Sequence, residues 1–279
     1  MIRHRFEYRA PRKIEEALRI LASAGDDCAV LGGGTWLIPN MTFAAHQPKV
    51  VLDPKHLDLS SIAEIDNEVL VGARATYADA LRSPSISTHL PMLVSMASGI
   101  TGGISITGQG TIGGSACYGN PSSDVPACLV ALRARLRLRS ADGTRDVEAG
   151  DFFLEKFVTA RRPNEMLVGL VFPKMSPDAR WGYYKLKFST GSWPIVTAAA
   201  TVEGERVRVV LGAATEVPIL SEAKLPTHAG DGELKDLAKS CSSVSADEEL
   251  ADELAGPGYR RRVAHSIVLR ALKQCGAPR

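Results

Sequence analysis

Residues 105–124 read SITGQGTIGGSACYGNPSSD and contain Gly108-x-Gly110-x-x-Gly113, the glycine spacing of a dinucleotide-binding turn. Such a turn needs a strand before it, a long helix after it to carry the pyrophosphate, and an acid about 20 residues on for the ribose. Here Gly119, Asn120 and Pro121 break any helix within two turns of Gly113. The Rossmann reading fails on context. What remains is a loop rich in glycine and hydroxyls, in which backbone N–H groups approach a phosphate closely and Thr or Ser adds neutral donors. Two such loops exist, Gly32-Gly33-Gly34-Thr35 and Gly110-Thr111-Ile112-Gly113-Gly114-Ser115. Each sits in its own α/β segment, so together they are placed to clamp a pyrophosphate from two sides. The plainer reading of each is a tight turn.

Outward from these loops, PRKIEEALRILAS sets Ile14, Ala17, Leu18 and Leu21 on one helical face, with Pro11 at its start. A short strand, Cys28 to Leu31, runs into the first glycine loop, and KVVLD is a second strand closed by Pro54. Residues 1 to about 55 thus form a small β-α-β unit. EVLVGARATYADAL predicts a strand turning into a helix capped by Thr76. LPMLVSMASGI and VPACLVALRARL predict helices, and ARLRLRS alternates like a half-exposed strand ahead of a hairpin turn at Asp142-Gly143. EMLVGLVFP predicts a strand ended by Pro173. After residue 176, WGYYKLKF, IVTAAATVEG and ERVRVVLGAA predict three antiparallel strands with Gly204 at a tight turn. Helices are expected around SADEELADEL and GYRRRVAHSIVLRAL. The sum is an α+β protein: two α/β lobes, then an antiparallel sheet covered by helices.

Composition narrows the function. A net charge of +2 gives no nucleic-acid surface and no polybasic membrane patch. No run of 18 apolar residues marks a membrane span, and the N-terminus lacks the apolar core of a signal peptide, so a cytoplasmic protein is expected. Cys28, Cys117, Cys128, Cys241 and Cys275 are scattered and odd in number, which fits reduced thiols and argues against a zinc site or iron–sulfur cluster on this chain. Any metal redox centre is expected on another polypeptide.

AVLGGGTWLIPNM, GTIGGSACYGNPSSDVPACLVALRARLRLRS and YYKLKFSTGSWPIVTAAA together resemble the FAD-binding subunit of the xanthine dehydrogenase and carbon monoxide dehydrogenase family, from about residue 5 to 275. The closest likeness is to the separate medium chain of three-subunit molybdenum hydroxylases. The resemblance implies a PCMH-type FAD-binding fold, with residues 1–175 as the FAD-binding domain (lobes of about 1–55 and 56–175) and 176–279 as the C-terminal flavoprotein domain. It implies that Gly32, Gly33, Gly34, Thr35 and Trp36, with Thr111, Ile112, Gly113, Gly114 and Ser115, bind the FAD diphosphate. Asp124 is expected to hydrogen-bond sugar or ribityl hydroxyls, Leu167 to pack near the adenine, and Lys185 to lie near the flavin, with a slip towards Tyr184 or Lys187 left open.

By residue type alone, Leu167 reads as strand core and Lys185 and Lys187 as a solvated strand face. Tyr183, Tyr184, Trp181 and Trp193 read as core unless one stacks on the isoalloxazine, and Arg260, Arg261 and Arg262 read as helix surface. Cys117 and Tyr118 have no base partner in the sequence, and no catalytic residue is expected. Two departures from the family pattern bear on local electrostatics and the electron acceptor. Thr107 and Gly108 replace an Arg and an Asn before the second loop, and Ser192 stands where an acid is common.

The resemblance further implies a molybdopterin-type cofactor on a large partner subunit, two [2Fe-2S] clusters on a small one, and a dimer of heterotrimers passing electrons through FAD to an external acceptor. The alternatives are a stand-alone FAD-dependent oxidoreductase of the same fold and a flavin-free scaffold.

Overall fold

The computed structural model describes residues 1–226 and 229–276. The first lobe alternates strand and helix: β1 (Glu7–Arg9), α1 (Ile14–Ala24), β2 (Cys28–Val30), α2 (Leu37–Thr42) and β3 (Val50–Leu52). All three strands are parallel, in the order β1-β3-β2. The predicted face of α1 buries Ala17, Leu18 and Leu21 against Leu52 and Met166. Strand β1 and helix α2 have no three- or four-residue apolar pattern strong enough to announce them.

The second lobe runs β4 (Ile62–Ile65), β5 (Glu68–Gly72), α3 (Tyr77–Arg82), α4 (Pro84–His89), α5 (Pro91–Ser98), α6 (Gly103–Thr107), α7 (Ile112–Tyr118), α8 (Asp124–Ala131), β6 (Arg135–Ser140), β7 (Gly143–Glu148), α9 (Ala149–Phe152), β8 (Phe153–Glu155), β9 (Val158–Thr159) and β10 (Met166–Pro173). Its five-stranded antiparallel sheet has the order β4-β5-β10-β6-β7. The alternation in β6 sends Leu136 and Leu138 into the core, while Arg135 and Arg137 pair outward with Asp146. Thr76 caps α3 in a capping box with Asp79, as its sequence predicts.

The last segment comprises β11 (Arg180–Lys187), β12 (Pro194–Glu203), β13 (Arg206–Gly212), β14 (Ile219–Lys224), α10 (Asp231–Ser240) and α11 (Tyr259–Gly276). The sheet order is β11-β12-β13-β14, antiparallel throughout. The alanines of β12 explain its plainness. Ala199 joins the core shared with α8, whereas Ala198 and Ala200 join the core shared with α11, so the strand is buried on both faces by small side chains.

Two expectations fail here. SADEELADEL is not helical, because its carboxylates are engaged elsewhere. Asp252 accepts the amides of Leu254 and Ala255 and both ends of its carboxylate take the Arg260 guanidinium; Glu249 accepts the amides of Gly258 and Arg261. The helix of this region lies earlier, at α10. Arg260 is not on the helix surface but wholly buried, donating to Ile195, Leu250 and Ala255 carbonyls as well as to Asp252. Arg261, half-exposed, pairs with Glu249. No helix among the described residues is long and apolar enough to cross a membrane.

Candidate cofactor site

The two glycine loops meet. A Cβ on Gly33 would lie 1.8 Å from the Gln109 carbonyl oxygen, and one on Gly32 would lie 3.0 Å from Thr111 Oγ1. Close packing thus accounts for some of the glycine content without a ligand. It does not account for the amides: the N–H groups of Gly32, Gly33, Gly34, Thr35 and Thr111 meet no acceptor among the described residues. Consecutive unpaired amides in a loop form a concave, partly positive surface that suits an anion. A diphosphate fits this donor set.

The second loop is shaped by its caps. Thr111 Oγ1 accepts the Gly114 amide at 3.0 Å and starts α7, and Gly119 ends it at φ +58° after seven residues. The short helix confirms that this is not a Rossmann turn. Ser115 Oγ shares a hydrogen bond of 2.5 Å with Tyr77, whose hydroxyl is raised by burial and stays protonated. Ile112 and Gly113 are buried beneath the loop, and Gly114 is exposed. Trp36, at the end of the first loop, packs against His46 and against Tyr118 at the end of α7, bridging the loops.

Asp124 begins α8 and is only 2% exposed. Lys185 Nζ on β11 donates to both carboxylate oxygens at 2.9 Å and to the Gly99 carbonyl at 2.7 Å; the Tyr183 hydroxyl donates to Oδ1. Burial pushes the Asp124 carboxyl up, opposed first by Lys185. Oδ2 keeps one unused lone pair, so a ligand hydroxyl can share it. Lys187 donates to Thr101 and to the Thr190 carbonyl, and Thr101 to the Ser192 carbonyl. Lys185 and Lys187 are therefore not a solvated strand face. They tie β11 to the segment that leads into the second loop.

Asp124 and Lys185 come together, as do the two loops. Leu167 stays in the core cluster with Ile112 and Ala116, 6% exposed. Tyr183 was legible only as an aromatic; its hydroxyl's position on Asp124 depends on where β11 lies relative to the start of α8, 59 residues earlier. Burial pushes the Cys117 thiol up to about 11, which suits an inert side chain.

Three comparisons bear on this site. The family model described as FAD binding domain in molybdopterin dehydrogenase matches residues 4–175. The carbon monoxide dehydrogenase medium chain of Hydrogenophaga pseudoflava is 32% identical, covering 99% of each chain. The nicotine 6-hydroxylase medium subunit of Paenarthrobacter nicotinovorans is 27% identical, covering 97% of each. Among solved structures, the carbon monoxide dehydrogenase from Hydrogenophaga pseudoflava that lacks the Mo-pyranopterin moiety superposes with a TM-score of 0.92 at 30% identity, over 99% of each chain. Quinoline 2-oxidoreductase from Pseudomonas putida 86, at 24% identity over 97% of each chain and a TM-score of 0.88, shares the fold. With paired glycine loops, α+β lobes and full-length likeness to medium chains, this protein belongs to the family of FAD-binding medium subunits of molybdopterin dehydrogenases.

Proposed function

We propose that this chain, within a three-subunit molybdenum hydroxylase, takes electrons from two [2Fe-2S] clusters on a small partner subunit and hands them to an external acceptor. A large partner subunit carries the molybdopterin-type cofactor and oxidises the substrate. The observation that carries the reading is the convergence of the two glycine loops, with five amides that meet no acceptor among the described residues. FAD, when bound, supplies the redox chemistry, and the protein supplies binding and orientation.

Gly32, Gly33, Gly34 and Thr35, with Trp36 beside them, hold the diphosphate from one side. Thr111, Ile112, Gly113, Gly114 and Ser115 form the other. Asp124 takes a sugar or ribityl hydroxyl, and Lys185 holds that carboxylate in place. Leu167 lies in the apolar floor beneath the second loop. Residues 1–175 form the FAD-binding unit, with lobes 1–55 and 56–175, and 176–279 the C-terminal unit that braces it. The working assembly is a dimer of heterotrimers in the cytoplasm.

Purification from the native host without dissociating partners tests this directly. FAD, iron and molybdenum in one complex with a large and a small chain is the expected outcome. Flavin on a solitary chain that turns over substrate would contradict it.

A further inference from the structure

Helix α8 covers only part of one face of the C-terminal sheet. Ala199 of β12 and Val210 of β13 pack on that face, in the core that α8 shares, so by alternation Thr201, Glu203, Arg206 and Arg208 lie on it too. Val207 points the other way, into the core with α11. Past Ala131, where α8 ends, the face opens into a cleft of about 380 Å³. Strand pairing extends the cleft onto β14, with Arg208 opposite Glu222 and Arg206 opposite Lys224. Arg133, just beyond α8, lines it as well.

The charges in the cleft do not balance. Four cations, Arg133, Arg206, Arg208 and Lys224, meet two carboxylates, Glu203 and Glu222. Arg208 is settled: it donates to the Val130 carbonyl at the end of α8 and pairs with Glu222. Arg133, Arg206 and Lys224 have no ion pair among the described residues, although Glu203 stands opposite Arg206 on β12. Like charges directly opposite on neighbouring strands destabilise a sheet, and Arg206 and Lys224 are such a pair. Burial lowers the Arg208 guanidinium; Glu222 opposes this, and Arg133 adds its like charge. Arg133 itself holds φ +52°, a left-handed conformation uncommon for a non-glycine residue.

An anion relieves this arrangement. The three unpaired cations stand on β13, on β14 and just after α8, so they reach one oxyanion from several sides, as a tetrahedral group requires; a planar carboxylate is served by a single guanidinium. No aromatic ring lines the cleft, so nothing there stacks on a nucleobase. Its volume lies within the ~300–1,000 Å³ of small-molecule sites, more than one phosphate fills. None of its lining residues belongs to either glycine loop. We propose that this cleft binds a phosphate monoester with a small, non-aromatic body.

Glycerol 3-phosphate is the probe, titrated calorimetrically into the full-length chain at low ionic strength. Saturable one-site binding that weakens with added salt is expected. Arg206→Gln and Lys224→Gln should each weaken it about fivefold, the scale of one exposed charge contact. Glu203→Gln should tighten it, because it removes a carboxylate that repels the ligand. Without ligand, Lys224→Gln should melt no lower than the parent, since it breaks up the like-charge pair; loss of binding is thereby separated from loss of fold. Absence of saturable binding, or binding indifferent to all three substitutions, would overturn the proposal. So would binding lost in Gly33→Ala but kept in these variants, which would place the anion at the glycine loops. Tighter binding of a hexaglutamate peptide would overturn it too, making the cleft a docking surface for an acidic chain.

Discussion

A methyl group at position 33 would sit 1.8 Å from a backbone oxygen, and backbone cannot swing aside as a flexible side chain can. Gly33→Ala must therefore part the two loops. We expect the variant to fold with a lowered melting temperature and to lose FAD, measured as flavin per chain. Retention of one flavin per chain would show that the loops' contact is not what builds the site. The Asp124–Lys185 pair makes a second residue-scale case. Lys185→Met leaves a carboxylate buried without its cation, which typically costs about 3–5 kcal/mol. Urea unfolding should show a loss of that order. At this scale the sequence was most informative where chemistry is local: both glycine loops stand out by motif, whereas Asp124 and Lys185 were named only through the family resemblance and their pairing across 61 residues was not foreseen. Tyr183's hydrogen bond across 59 residues was not foreseen either, and Arg260 was misplaced because residue type alone assigns an Arg to the surface.

Elements were read well where periodicity is strong, as in α1, β6 and α11, and poorly where tertiary partners compete for polar side chains. The acid-rich stretch 245–254 carries good helix formers, yet its carboxylates cap turns and bind arginines instead. A similar tie joins three elements at Glu64. It sits on β4, accepts from Ser85 on α4 and pairs with Lys174 just beyond β10. The Lys174 hydrogen bond, then that from Ser85, holds its carboxyl down to about 2 from an ordinary 4.5. A carboxyl with a depressed folded value stabilises the native state above its unfolded value and loses that contribution as pH falls through the folded one. Glu64→Gln should therefore be less stable than the parent at neutral pH, with the gap closing between about pH 4.5 and 2. Thermal melts across that range check the sign; a gap that widens towards acid would refute it.

Across the whole molecule, the C-terminal sheet meets the second lobe through α8 on one face and is tied by Lys185 and Lys187 to Asp124 and to Gly99 and Thr101, ahead of the second glycine loop. The layered α+β architecture follows from the order of strand and helix patterns along the chain. The non-local pairing within it does not: β10 lies between β5 and β6, strands that precede it by some 95 and 30 residues, and no local pattern specifies such neighbours. The central claim is that two loops, remote in sequence, jointly hold one FAD. Titration of the full-length chain with FAD, followed by flavin fluorescence, tests it most directly. Saturable uptake of one FAD per chain, abolished in folded Gly33→Ala, is the predicted result; no saturable uptake, or equal uptake by the variant, would contradict the account.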